Sequence, residues 1–439
     1  MRSNQAEFNA VLAHEQRQAR RRLLVSLAVI AAMLAVLAVM LVRSMPPRTV
    51  RIATGEPGGA YHTYAQRYQA ILARDGVKLE LVETNGSLDN LKLLQDPRSG
   101  ISVALMQGGV TTRDQAPGLA SLGTLAYEPV WAFYRGEDVV KLEGWAAGKK
   151  ISVGPEGSGT RKVALDVINL LGMDEQGAQL LALPTASAVQ ALLDGQIDMV
   201  VLVSPLHGVH VQRLLAQPEI KMLSYRRADA YVALRPYLNK LLLPQGVIDM
   251  RHNRPPQDVA LVAPEASLVV RESLHPAIQY LLLQAAVEVH SAPALFQQAG
   301  QFPAAQPVDV PLSEPAINYY KSGSPLLQRY LPFWGAALVA ELLRLLIPVV
   351  AVAYPLLRVA PGVYGWGMRR RIFRLYGELK FIETQLEARD AQASVEDLRK
   401  EIDWLEARAY RMRMPKAFAQ MLYTLRLHIG LVRQRLEQR

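Results

Sequence analysis

Between residues 48 and 330 the chain alternates short β-branched or apolar runs with segments whose apolar positions recur every three or four residues. The first pattern predicts strands and the second predicts helices with one buried face. Residues 50–53, 79–83, 101–106 and 150–153 read as strands. Ala60 to Arg74, Ser87 to Leu94 and a segment ending at Leu171 read as helices, with Ser87 as the N-cap of the second. Each strand is followed by a Gly-, Ser- or Thr-rich turn, the signature of βα units, and the series restarts at Lys150. Two α/β lobes are expected, with residues 125–150 carrying the crossover.

Two longer apolar runs have a different meaning. Residues 23–42 contain no charge and follow Arg17, Arg20, Arg21 and Arg22, a pattern that fits an uncleaved signal anchor crossing the membrane. Residues 333–357 form a second candidate span, closed by Arg358 and then Arg369, Arg370, Arg371 and Arg374. Within it, Glu341 and Arg344 stand at i,i+3 and are expected to pair. They form either a local ion pair near a displaced interface or a docking point for the first span or a partner's helix. Pro348 and Pro355 are tolerable in a membrane helix.

Charge follows the same division. Of the 49 basic and 39 acidic residues, six and two lie in residues 1–43 and 18 and 11 in residues 331–439, leaving the middle at −1. Basic ends around a neutral centre fit cytoplasmic termini and argue against nucleic-acid binding. The expected layout is a cytoplasmic basic N-terminus (1–22), a transmembrane helix (23–42) and an extracytoplasmic solute-binding domain (43–330). A second transmembrane helix (331–358) and a cytoplasmic helical tail (359–439) complete it. The place would be a bacterial inner membrane. In the tail, three stripes recur at 3,4 spacing: Ile372, Leu375, Leu379, Ile382 and Leu386; Leu398, Ile402, Leu405 and Ala409; Phe418, Leu422, Leu425, Ile429, Val432 and Leu436. They predict a small bundle or coiled-coil-like pairing with a partner, self-association included.

The chain has no cysteine, so disulfides and thiolate chemistry are excluded. The glycine turns place helix N-termini, with their N–H groups and positive dipole ends, at the carboxyl edge of a sheet, an arrangement suited to anions. Gly154 and Gly159 have phosphate-loop spacing, yet Thr160, Arg161 and Lys162 follow where Lys and Ser or Thr are required. No catalytic constellation, metal or nucleotide cofactor is expected.

These turns also carry a family resemblance. Ala53-Thr54-Gly55-Glu56-Pro57-Gly58-Gly59-Ala60-Tyr61, Thr84-Asn85-Gly86-Ser87-Leu88-Asp89-Asn90-Leu91, Leu105-Met106-Gln107, Gly154-Pro155-Glu156-Gly157-Ser158-Gly159-Thr160 and Gly195-Gln196-Ile197-Asp198 stand in order. Together they resemble the TAXI branch of solute receptors of the tripartite ATP-independent periplasmic (TRAP) transporters, over about residues 48 to 325. The resemblance implies a two-lobed fold of the type II periplasmic-binding-protein kind, closing on a small amino acid or organic acid with a carboxylate. A TRAP membrane subunit is the implied partner. It points to Thr54, Gly55, Tyr61, Ser87, Asn90, Gln107, Ser158, Gly159, Thr160 and Arg161 as ligand-binding, with Arg161 either a carboxylate clamp or a surface residue. Glu56, beside the first helix N-terminus, disfavours a dicarboxylate unless it faces solvent or receives an amino group. The alternative expectation is a transmembrane sensor that signals through its tail.

Overall fold

In the computed structural model the described residues are 24, 27–28, 31–32, 34–139, 142–170, 177–306, 309–387, 395–412 and 414–438. The basic N-terminus (1–22) lies outside them, as does part of the first predicted span, of which the apolar helix Leu34–Ser44 is described. The chain divides into two compact units, Met1–Glu341 and Leu342–Arg439.

The first unit holds two sheets. Strands β1 (Thr49–Ala53), β2 (Lys78–Val82), β3 (Val103–Gln107) and β4 (Leu119–Tyr127) are followed by β5 (Val130–Tyr134), β6 (Lys150–Ser152), β7 (Gln179–Leu181), β8 (Met199–Val203) and β9 (Lys221–Met222). Strands β10 (Leu238–Leu243) and β11 (Val259–Arg271) come last. The first sheet runs β2-β1-β3-β11-β4 with β10 on β11, and the second β7-β6-β8-β5-β9. Each therefore places its first three strands in the order 2-1-3, in parallel, followed by an antiparallel strand that arrives from the other lobe. The chain crosses at Glu128 and Pro129, inside the expected segment, and returns along β11, whose first residues pack with β10 in the second core and whose later residues pair with β3 and β4, a second crossing that the sequence pattern does not announce. The strand starting at Ile101 begins instead at Val103, and residues 79–83 slide back by one.

Packing explains the unbroken apolar runs. Every residue of β3 is buried, because helix Ala60–Arg74 and helix Pro276–His290 cover one face of the sheet and Ser87–Gln95 the other. Tyr68, Leu72, Leu105, Leu268, Ile278 and Leu282 form the first core. Trp131, Phe133, Ile151, Val163, Val189 and Val200 form the second.

The helix Phe333–Glu387 begins on this first core. Phe333 and Ala337 are buried there, the Trp334 indole N–H donates to the Asp75 carbonyl (2.8 Å), and the Arg48 guanidinium lies over the Trp334 ring. Glu341, 2% exposed, sets Oε1 3.4 Å from His275 Nε2, which also lies 3.0 Å from the Ser44 carbonyl. His275 Nδ1 accepts from the Ala277 N–H, so this ring gathers the end of helix Leu34–Ser44 and the start of Phe333–Glu387 at one place. The stretch Phe333–Ala351 is long and apolar enough to cross a membrane, with a mean hydropathy of 1.9, and is mostly exposed. Its first turns are nevertheless seated on the domain. The helix continues through Pro348 and Pro355 without a break.

In the second unit, the three predicted stripes meet in one core: Leu375, Ile402, Leu405, Leu425 and Ile429 are each at most 1% exposed. Helices Val395–Arg411 and Ala419–Glu437 pack with the end of Phe333–Glu387. Phe418 departs from its stripe. It sits in the 3-10 turn Lys416–Phe418, half-buried against Tyr364, because Pro415 delays the helix start. Arg408 pairs with Glu378 (3.1 Å), and Arg433 with Asp403 (2.9 Å) and Glu406.

Candidate functional site

The glycine turns of the two lobes meet face to face. Leu88 and Asp89, in the first turn of helix Ser87–Gln95, both donate their N–H groups to the Gly157 carbonyl across the lobe boundary (3.1 and 3.2 Å). The Gln107 side-chain amide donates to the Gly159 carbonyl (3.2 Å), and the Thr185 N–H donates to Glu56 Oε2 (3.1 Å). Glu56 thus caps helix Thr185–Leu193 of the opposite lobe, where the dipole favours a carboxylate. The lobes are closed.

Glycine is required at this seam. Gly86 has φ of 130° and Gly157 of 82°, and a Cβ on Gly157 would fall 2.4 Å from an Asp89 carboxylate oxygen. The space between these turns is about 90 Å³, room for a few non-hydrogen atoms. Gly55, Tyr61, Ser87, Gln107, Ser158, Gly159 and Thr160 line it. No Lys, Arg or His is among the lining residues.

Three predicted residues stand elsewhere. Thr54 is fully buried, and its N–H and hydroxyl both donate to the Val82 carbonyl, which fastens β1 to β2. Asn90 is also fully buried; its amide donates to the Thr54 and Leu105 carbonyls (2.6 and 2.7 Å) and its oxygen accepts from the Thr84 hydroxyl (2.6 Å). Arg161 turns to Glu156 (3.0 Å) instead of the cleft. Ser87 is not an N-cap: the helix starts at Ser87 behind Gly86, and Ser87 Oγ accepts from the Gln107 N–H (3.0 Å). The hydroxyl that does cap is Ser158, which accepts from the Arg161 N–H (3.1 Å) and donates to the Pro155 carbonyl (2.7 Å). With both lone carbonyl partners lost, Asn90→Ala is expected to destabilise the protein by about 2–4 kcal/mol in thermal or urea unfolding. A variant of unchanged stability that loses only solute affinity would instead make Asn90 a ligand group.

Glu128 is a cleft residue that the motif pattern does not include. It follows β4 at the crossover, is 2% exposed, and accepts a 2.7 Å hydrogen bond from the Tyr61 hydroxyl. Burial pushes its carboxyl up to about 8, the Tyr61 hydrogen bond opposing; burial, aided by Glu128, likewise raises Tyr61. Below that pH the cleft floor holds a neutral acid. A carboxylate set between a long apolar strand and Pro129 was the available signal. Among the described residues no group of three or more His, Asp or Glu could hold a metal ion.

Two lobes of identical strand order, joined by crossovers and closed over a polar cleft, define a two-lobed α/β architecture. The sequence profile of the NMT1-like family matches residues 52–322, and the chain belongs to that family. No curated protein matches the sequence. Solved structures give distant matches. The periplasmic aliphatic sulphonate binding protein SsuA from Escherichia coli is 15% identical, over 70% of this chain and 82% of its own, with a TM-score of 0.34. An ancestral arginine-binding protein bound to arginine is 16% identical, over 55% and 92%, at 0.36. The periplasmic binding protein BugD is 14% identical, over 55% and 83%, at 0.37.

Proposed function

We propose that the first unit is a membrane-tethered extracytoplasmic receptor for a small solute that carries both a carboxylate and an ammonium group. The observation that carries this reading is the interlobe cleft, where first-turn N–H groups of helices Ala60–Arg74 and Gly159–Leu170 adjoin Glu128 and Glu56. The N–H groups suit a carboxylate and the acids suit an ammonium. A cleft of about 90 Å³ favours a short amino acid over a large one. The convergence of Ser44 and Glu341 on His275 supports tethering at both ends from one side of the domain, with spans at residues 23–42 and from about Leu338 onward. The resemblance to TAXI receptors supports a TRAP membrane subunit as the partner.

Calorimetry on the full chain in detergent, with short amino acids and organic acids, tests the reading. A short amino acid should bind, with proton release near neutral pH as its ammonium lowers the Glu128 pKa. Absence of binding across the panel by folded protein, together with an empty cleft in native mass spectrometry, would overturn it. A sensor is the second reading, favoured by the unbroken helix Phe333–Glu387, which carries the chain from one unit into the other. Deleting residues 366–439 separates the two: uptake survives in a receptor, whereas a sensor loses its output.

A further inference from the structure

A second cavity, of about 420 Å³, shares no lining residue with the interlobe cleft. It lies one to two helical turns along from Tyr61, at Tyr64 and Arg67, and one residue from Glu128, at Tyr127. Its volume falls within the range of small-molecule sites, about 300–1,000 Å³. We propose that this cavity binds a small aromatic monocarboxylate, with Arg67 taking the carboxylate and the ring lodged against Tyr64 and Phe296.

The charge argument comes first. Arg67 forms no ion pair with any described residue, and no Asp or Glu lines the cavity. The two histidines of the lining do not add fixed charge. Burial drives His290 down to about 3, helped by Arg67 and His207, and its Nε2 is engaged with the Tyr68 hydroxyl at 3.0 Å. His207 is lowered as well, by burial and then by Arg67. One permanent positive charge therefore faces a largely apolar chamber, which matches a monoanion and disfavours cations and dianions.

The shape argument concerns the ring. Tyr64 already holds His290 edge-on at 4.6 Å and His207 at 6.4 Å, so the walls present aromatic edges and faces. Phe296, Leu295 and Val289 complete an apolar pocket. Aromatic rings gain from such edge-to-face surroundings beyond their area burial. A short aliphatic acid would leave most of the chamber empty.

The test uses full-length protein in detergent and phenylacetate as probe, with binding read by ligand-observed NMR and calorimetry. Saturable binding is expected, weakened about tenfold or more in Arg67→Ala and equally in the uncharged analogue phenylacetamide. Arg67→Ala should leave binding of a short amino acid in the interlobe cleft unchanged, and a saturating short amino acid should leave phenylacetate binding unchanged, which separates this site from the proposed solute site. Arg67 is exposed, so its removal should not affect folding, which a thermal melt checks. No saturable binding at millimolar phenylacetate, equal binding by Arg67→Ala, or displacement of phenylacetate by the short amino acid each overturns the proposal.

Discussion

Gly159→Leu is expected to hold the lobes apart and to lower solute affinity by at least about 100-fold. A Cβ at this position would stand 2.8 Å from Gln107 Oε1 and 3.0 Å from Ser87 Oγ, both on the opposite lobe. Gln107 cannot withdraw without giving up its bond to the Gly159 carbonyl, and Ser87 is held by the Gln107 N–H. The added side chain is therefore a wedge in the closed seam. Within its own lobe the change is benign, since Gly159 opens a helix at ordinary φ and leucine is the better helix former. Because the chain has no cysteine, spin labels at Lys92→Cys and Gln190→Cys report the interlobe distance directly. The distance should lengthen in Gly159→Leu while the melting temperature holds. A variant that closes normally and keeps its solute would show that the seam tolerates a side chain and that closure is not what binds.

Glu128→Gln should abolish a pH dependence of stability. The native carboxyl titrates at about 8, against an ordinary value of 4.5. Between those values the unfolded chain has lost a proton that the native protein keeps, so unfolding releases a proton and stability falls as pH rises. The decline should start near pH 4.5, be complete near pH 8, and amount at most to roughly 5 kcal/mol. The amide cannot ionise and can still receive the Tyr61 hydroxyl. Melting of the full chain from about pH 5 to pH 8.5 should thus show a falling curve for the wild type and a flatter one for Glu128→Gln, the two diverging at the alkaline end. Parallel curves would mean that Glu128 is ionised in the native protein, and the neutral floor of the cleft would be wrong.

The same residue shows where sequence reading stops. Glu128 is visible as an acid next to Pro129, but its burial and its pairing with Tyr61, 67 residues away, depend on the chain passing there from β4 of one sheet to β5 of the other. Asn90 and Thr54 show the converse. Their types and neighbours suit a ligand site, yet in place each satisfies backbone carbonyls of the strands or just beyond them, because buried carbonyls need donors more than the cleft needs another polar wall.

What the sequence determined by itself was local and periodic. Alternation of apolar runs with helical stripes set the α/β class, the helix Ala60–Arg74 to the residue, and the packing faces of the bundle, since those depend on spacings of two and of three or four along the chain. The glycine turns were legible for the same reason. Tertiary structure alone decided that the turns press against each other, that Glu56 caps a helix of the facing lobe, that Arg161 turns to Glu156, and that Ser44 and Glu341 meet at His275. Each joins residues distant in sequence or chooses between partners of equal chemistry, and no periodicity encodes such a choice; it follows from which strands become neighbours when the two cores close.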